Sequence, residues 1–117
     1  MISGIYSSIS ALLGFQTKVE STANNVANVN TDGYKKTKVT LYEGQTQGVT
    51  VHIQQIEDPG PMVYEQTSEG EVLVEKSNVD LTEELPNLML AKRFYQANLK
   101  VIATEDEMLG NLLDIKS

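Results

Sequence analysis

Apolar residues recur at alternating intervals of three and four near the amino-terminal end of the 117-residue chain. This spacing is typical of a helix that packs along a second helix. The first seam consists of Ile2, Ile5, Ile9, Leu12, Gln16, Val19, Ala23 and Val26. It predicts a helix of roughly 25 residues that ends near Val29, because several Asn residues and a Thr31-Asp32-Gly33 turn follow, with positive φ at Gly33.

A second seam with the same spacing lies in the carboxy-terminal third of the chain. Its members are Leu81, Leu85, Leu88, Lys92, Tyr95, Leu99, Ile102, Asp106, Leu109 and Leu113. A further apolar stripe beside it, Phe94, Val101, Met108, Leu112 and Ile115, indicates more than one neighbour. The second seam therefore predicts a helix over residues 81–115.

The start of this second helix carries two signals that disagree. Asp80 with Glu83 three residues later has the form of a capping box. Pro86 lacks a backbone donor and is tolerated only close to a helix start. Either the first turn is kinked or the regular helix begins near Pro86.

The middle of the chain has a period of two instead. Apolar residues alternate with mostly polar ones, as in a small antiparallel sheet or a pair of hairpins. They are Val39, Leu41, Val49, Val51, Ile53, Val72 and Val74. Asp58-Pro59-Gly60-Pro61 predicts a type II turn with positive φ at Gly60.

These segments predict an α+β fold in which long amino-terminal and carboxy-terminal helices pair as a coiled coil, with a small antiparallel β segment between them in the chain. We expect a helical segment and turn over 1–34, a β domain over 35–79 and a helix over 80–117, with both termini forming one composite domain. Each seam side chain that leaves water contributes roughly 1.5 to 3 kcal/mol. The middle segment is too small to cover both helices, so their seams must be buried on each other, on other chains, or on both.

Composition excludes several classes of function. The net charge of −7 argues against nucleic acid as a partner. The absence of cysteine excludes disulfides and thiolate metal sites. No apolar run approaches the roughly 18 residues that membrane insertion requires, and the amino terminus lacks the pattern of a cleaved secretory signal.

Residues that could carry catalysis or bind ions have simpler interpretations. His52 is predicted on the polar side of a strand, and Glu57 and Asp58 are adjacent and so point to opposite sides of an extended chain. We expect no catalytic residue, no cofactor and no metal. The basic cluster of Lys35, Lys36 and Lys38 is interpreted as a solvated strand start, and the acids of residues 57–84 as a solvated face.

Both ends of the chain resemble a known family. Residues 23–35, Ala-Asn-Asn-Val-Ala-Asn-Val-Asn-Thr-Asp-Gly-Tyr-Lys, are similar to the amino-terminal signature of the bacterial flagellar axial proteins of rod and hook. Residues 77–81, with Arg93, the 95–98 segment, Lys100 and the 106–109 segment, resemble the carboxy-terminal signature. The middle segment resembles the proximal rod proteins, whereas the 31–35 turn is closer to the distal rod and hook proteins.

The resemblance implies a structural protein of the flagellar basal body without catalysis. Proteins of this family pass unfolded through the flagellar export apparatus without a cleaved signal, and polymerise into the axial structure whose rod spans the periplasm. The partners implied are further copies of the chain and other axial proteins of rod and hook. A soluble coiled-coil adaptor or export chaperone of fixed oligomeric state is the alternative.

The assembly interface is predicted from the two seams. Its apolar members are Ile5, Ile9, Leu12, Val19, Leu88, Tyr95, Leu99, Ile102 and Leu109. Asn24, Asn25 and Asn28 either form hydrogen bonds between subunits or only terminate the first helix.

Overall fold

The computed structural model describes residues 2–45 and 47–116. Its elements are, in chain order, α1 (Ile2–Ala27), β1 (Thr37–Glu43), β2 (Val49–Gln55), β3 (Met62–Thr67), β4 (Gly70–Glu75) and α2 (Leu81–Lys116). The predicted α+β fold, with two long helices and short antiparallel strands between them, is confirmed. The predicted division into segments 1–34, 35–79 and 80–117 stays a prediction, and its end points Met1 and Ser117, like the side chain of Ile2, lie outside the described part.

The two helices pack side by side and run in opposite directions. Three contacts fix this arrangement: Ser8 with Glu105, Phe15 with Phe94 at 5.3 Å between ring centroids, and Asn25 with Glu84. At about 1.5 Å per residue, α2 is about 54 Å long and extends past the beginning of the described part of α1.

The strands form two separate antiparallel hairpins, as the period of two indicated. In the first hairpin Val39 is opposite Ile53 and Leu41 is opposite Val51. In the second hairpin, Tyr64 is opposite Leu73. The first hairpin packs on α1, whereas within the described residues the second has no close backbone contact with either helix.

Glycine residues at two turns show which turn predictions were correct. Gly33 has a φ of 71°, as expected from the turn that follows α1. Gly60 does not have a positive φ, so the predicted type II turn is wrong. Glycine is required at residue 60 for a steric reason instead, because an added Cβ would lie 1.9 Å from the carbonyl oxygen of Lys76.

The start of α2 is capped by Asp80. Its carboxylate Oδ1 accepts hydrogen bonds from the backbone N–H of Thr82 at 3.0 Å and from the Thr82 hydroxyl at 2.7 Å. The helix begins at Leu81 and includes Pro86, so the alternative in which it begins near Pro86 is wrong. Glu83 forms an ion pair with Lys36 at 3.3 Å.

The molecule is long and has very little interior. Its dimensions are 80 × 24 × 19 Å, and its radius of gyration is 20.7 Å, against about 13 Å for a compact domain of this length. Its accessible surface is 8336 Å², against roughly 6,300 Å² for a compact monomer of this mass. Among the described residues, the fully buried hydrophobic side chains are Val39 and Ala91.

Candidate assembly interface

The side of α2 that faces α1 is unusually polar. The most covered positions of α2 are spaced by four and three, and include buried Glu84 and Ala91. The positions with this spacing, which we name the inner seam, are Glu84, Leu88, Ala91, Tyr95, Asn98, Ile102, Glu105 and Leu109, and Asn87 beside Leu88 is also half-buried. Half of this inner seam belongs to the predicted interface set, namely Leu88, Tyr95, Ile102 and Leu109.

The polar members of the inner seam could not be found from apolar periodicity. Glu84, Asn98 and Glu105 occupy helical positions that a search for apolar residues passes over. Their signal is the regular seven-residue interval from Glu84 through Ala91 and Asn98 to Glu105. The helix pair is therefore rotated relative to the predicted seam, and Leu99 lies on an exposed part of α2.

An apolar stripe on α2 is left open to solvent. Its larger members are exposed, from Val101 at 45% to Ile115 at 82%. The stripe consists of Leu90, Phe94, Ala97, Val101, Met108, Leu112 and Ile115, at intervals of four, three, four, seven, four and three. We name this set the outer stripe. The sequence indicated five of its members, and Leu90 and Ala97 continue the same spacing.

Within the described residues, no other part of the chain covers the outer stripe along its length. Phe94 touches Phe15 of α1, but neither hairpin makes close backbone contact with α2 within the described residues. A heptad-spaced apolar line of this kind has the form of a surface that receives another helix.

The open side of α1 adds a smaller apolar surface. Tyr6, Ile9 and Leu13 are exposed at intervals of three and four. The predicted interface residues Ile5, Leu12 and Val19 are half-buried, and Ile9 is exposed. The predicted apolar set on α1 is thus divided between the helix pair and the open side.

Asn25 holds the end of α1 to the rest of the chain. Its side chain is 1% exposed. Its amide Nδ2 donates to the Thr37 carbonyl oxygen at 2.8 Å and to Glu84 Oε2 at 3.2 Å. Its Oδ1 accepts from the Tyr34 hydroxyl at 3.0 Å and from the Thr37 backbone N–H at 3.0 Å. Asn25 thus forms these four hydrogen bonds within its own chain, and a role for it between subunits stays a prediction.

The neighbouring asparagines have different surroundings. Asn28 donates to the Asn24 carbonyl oxygen at 2.8 Å and accepts from the Thr31 hydroxyl at 3.0 Å, as a residue that ends a helix does. Asn24 has an exposed side chain. A role for Asn24 and Asn28 between subunits stays a prediction.

Lysines form ion pairs at the place where the second hairpin joins the helix pair. Lys35 pairs with Glu75, and Lys76 pairs with Glu65 and, at 2.9 Å, with Asp32. The interpretation of Lys35 and Lys36 as solvated is therefore corrected, since both form ion pairs. The acidic segment is likewise not fully solvated, because Glu84 is buried.

These contacts change the pKa values of the groups involved. The hydrogen bond from Lys35 lowers the pKa of Glu75, and the backbone N–H of Gly60 acts in the same direction. The hydrogen bonds that the Lys76 ammonium donates to Glu65 and Asp32 raise the pKa of Lys76. The Thr82 hydroxyl lowers the pKa of Asp80, and burial, followed by the charge of Glu84, raises the pKa of Tyr34.

The residues considered for catalysis are exposed. His52 lies on the open side of β2 near the ring of Tyr42, and Glu57 and Asp58 lie in an exposed loop. Residues 2–45 and 47–116 contain no cluster of side chains that could hold a metal ion. Within the same ranges, neither helix has the length and apolar character needed to cross a bilayer.

Family models match both ends of the chain. A model described as "Flagella basal body rod protein" matches residues 5–35, which contain most of α1 and the turn after it. A model described as "Flagellar basal body rod FlgEFG protein C-terminal" matches residues 73–115, which contain nearly all of α2. The chain belongs to the flagellar rod and hook protein family.

Individual rod and hook proteins show the same similarity. The flagellar basal-body rod protein FlgG of Bacillus subtilis is 45% identical over 49 residues, which are 42% of this chain and 19% of the relative. The flagellar hook protein FlgE of Escherichia coli is 44% identical over 43 residues, 37% of this chain and 11% of the relative. FlgG of Buchnera aphidicola is 54% identical over 39 residues, 33% of this chain and 15% of the relative. The matches thus span less than a fifth of the length of these rod and hook proteins.

Proposed function

We propose that the chain is a structural subunit of the flagellar basal-body rod that polymerises through its terminal helices and has no enzymatic activity. The observation that carries the proposal is the outer stripe, a heptad-spaced apolar line on α2 that the chain itself leaves exposed. Membership of the rod and hook family supports the same function.

The surface area supports assembly with more than one neighbour. The accessible surface of 8336 Å² exceeds that of a compact monomer by roughly 2,000 Å². A standard interface covers only about 800 Å² on each partner. The excess surface therefore suffices for contacts on two sides of the chain.

Two different surfaces favour a filament over a closed dimer. The outer stripe lies on α2, whereas the apolar group of Tyr6, Ile9 and Leu13 lies on α1. Contacts between unlike surfaces add subunits head to tail and generate a helical filament when the rotation does not close. Burial of apolar side chains would supply the driving force.

Partners and location follow from this proposed function. Further copies of the chain and other axial proteins of rod and hook would cover the exposed surfaces. The subunit would pass through the flagellar export apparatus without a cleaved signal and reside in the rod that spans the periplasm. Among the described residues, few apolar side chains are fully buried, so we expect the solitary chain to be weakly stable, which suits passage in an unfolded state.

Sedimentation across a wide range of concentration tests the proposal. A rod subunit is expected to show an association state that rises with concentration without a discrete plateau. A fixed monomer or dimer at every concentration would contradict polymerisation and favour the adaptor or export chaperone.

Limited proteolysis gives a second, independent measurement. Cleavage sites in α1 and α2 of the dilute chain should become protected in the sedimented assembly. Equal cleavage of both helices before and after assembly would mean that the helices are not the assembling surfaces.

A further inference from the structure

Charge is segregated along the chain between the second hairpin and the middle of α2. Residues 57–75, which contain β3 and β4, include six acids and no Lys, Arg or His. Residues 85–104 of α2 include Lys92, Arg93 and Lys100 and no acid. The net charge of the chain is −7. A segment of helix that carries only basic charges is therefore a distinct feature of its surface.

The second hairpin has a free acidic tip. Glu65 and Glu75 form ion pairs with Lys76 and Lys35 near the base of the hairpin. Glu69 and Glu71, at the turn and on the first position after Gly70, are exposed. Among the described residues, no ion pair within 4.0 Å reaches either of these two carboxylates.

One side of the same hairpin is also apolar. Strand register places Met62, Tyr64 and Leu73 on the side that carries Glu71. All three apolar side chains are exposed, Tyr64 at 70%. An isolated two-stranded hairpin is marginally stable in water, so a partner that covers this side would stabilise it.

The middle of α2 presents a matching surface. Met89, Arg93, Gln96 and Lys100 recur at intervals of four, three and four and share one exposed side of the helix. Arg93 and Lys100 lie two turns apart, about 10 Å. This side of the helix is separate from the outer stripe and from the side that faces α1.

The hairpin does not reach this surface within its own chain. It joins the end of the helix pair where α2 begins, and it makes no close backbone contact with α2. Arg93 lies about 18 Å along the helix from Leu81, and the strands extend the hairpin by about 20 Å. The molecule is 80 Å long, whereas α2 accounts for about 54 Å, so a hairpin that continues beyond the start of α2 fits the remaining length.

We infer that the acidic second hairpin of one copy docks on the basic side of α2 of a second copy, with Glu69 and Glu71 facing Arg93 and Lys100. In the same contact, Met62, Tyr64 and Leu73 of the hairpin cover the apolar part of this side of α2 in the second copy, where Met89 lies. This contact joins unlike surfaces and is therefore repeated from copy to copy. It rests on the proposed function, and it adds a charge-selected contact to the contacts of the outer stripe.

Charge exchange tests this contact. Glu69→Lys with Glu71→Lys reverses the hairpin, and Arg93→Glu with Lys100→Glu reverses the helix. Each double variant alone should assemble at a critical concentration at least about tenfold higher than the unaltered chain, because like charges then face each other. An equimolar mixture of the two double variants, and a single chain with all four changes, should both return to within about twofold of the original value.

Several controls separate this contact from other causes. Glu43→Lys with Asp106→Lys changes net charge as much as the hairpin variant does, at exposed sites away from the side of α2 that carries Arg93 and Lys100, and should not raise the critical concentration. Unchanged assembly of both double variants would overturn the inference while leaving the proposed function standing. Rescue by the fourfold change without rescue by the mixture would place the contact within one chain and also overturn it. If the unaltered chain does not assemble at any concentration, the proposed function itself fails.

Discussion

The Asn25 amide lies 3.2 Å from the buried carboxylate of Glu84, although 59 residues separate the two in sequence. The contact joins the end of α1 to the first turn of α2. The same amide binds Thr37 at the start of β1, so one side chain connects both helices and the first hairpin. Because the chain has few fully buried apolar side chains, this polar network determines much of how the helices and the first hairpin pack together.

Replacement of Asn25 by Ala is expected to lower the free energy of unfolding by about 2 to 4 kcal/mol. The substitution leaves the buried Glu84 carboxylate and the Thr37 backbone groups without their partner. Urea unfolding followed by circular dichroism, below the assembly concentration, measures the change. Asn24→Ala is the matched control, because that neighbouring side chain is exposed. Equal effects of the two substitutions would contradict the role of Asn25.

Gly60→Ala is expected to disrupt the base of the second hairpin. The added methyl group would lie 1.9 Å from the Lys76 carbonyl oxygen, which is backbone and must move. A loss of about 2 kcal/mol or more in the free energy of unfolding is expected. Gly110→Ala provides the control, since the space around that helical glycine is open, and Ala there should stabilise by up to about 1 kcal/mol. Similar stability of the two variants would contradict the close approach at Gly60.

Periodicity predicted both helices and the two hairpins, because local spacing determines which element forms. It did not predict which side of α2 faces α1. That choice depends on Glu84, Asn98 and Glu105, whose partners such as Asn25 and Ser8 are distant in sequence. The apolar residues were therefore correctly assigned to the helix, while their division between the inner seam and the outer stripe required the structure.

The same distinction applies to the turn at Gly60 and to the lysines. A Pro-Gly pair is typical of a type II turn, but the approach of Lys76, sixteen residues later, sets the geometry at Gly60. Lys35 resembles a solvated strand residue until the fold brings Glu75 beside it. Contacts between distant segments, which the sequence pattern does not contain, determine both outcomes.

Glu75 is expected to make stability fall at acid pH. Its pKa is lowered in the folded chain, chiefly by the hydrogen bond from Lys35. A lowered folded pKa means that its stabilising effect is complete above the ordinary value of 4.5 and is lost as pH falls through the folded pKa. Urea midpoints measured from pH 7 to pH 3 should therefore decrease more steeply for the unaltered chain than for Glu75→Gln. Parallel curves for the two chains would contradict the prediction.

Leu99→Asp is expected to block assembly while leaving the first hairpin folded. Leu99 is 44% exposed, and it borders a groove that Val19 and Tyr95 also line. A carboxylate introduced there would be desolvated without a partner when a neighbouring subunit covers the groove. Sedimentation measures assembly, and circular dichroism measures retained secondary structure. Unchanged assembly would remove Leu99 from the interface without affecting the outer stripe.

Val101→Asp tests the outer stripe by the same principle. Val101 lies at the centre of the stripe, so burial of a carboxylate there should raise the critical concentration for assembly at least about a hundredfold. Ala103→Asp is the matched control, because residue 103 is exposed on a different side of α2 and adds the same charge to the same helix. Ala103→Asp lowers the helix propensity of α2 at least as much as Val101→Asp does. Destabilisation of α2 by itself would therefore affect both variants. Residue 103 continues the side of α2 that carries Met89 and Gln96, so equal loss of assembly in both variants would assign no special role to the outer stripe and would leave helix stability, net charge or the basic side of α2 in control of polymerisation.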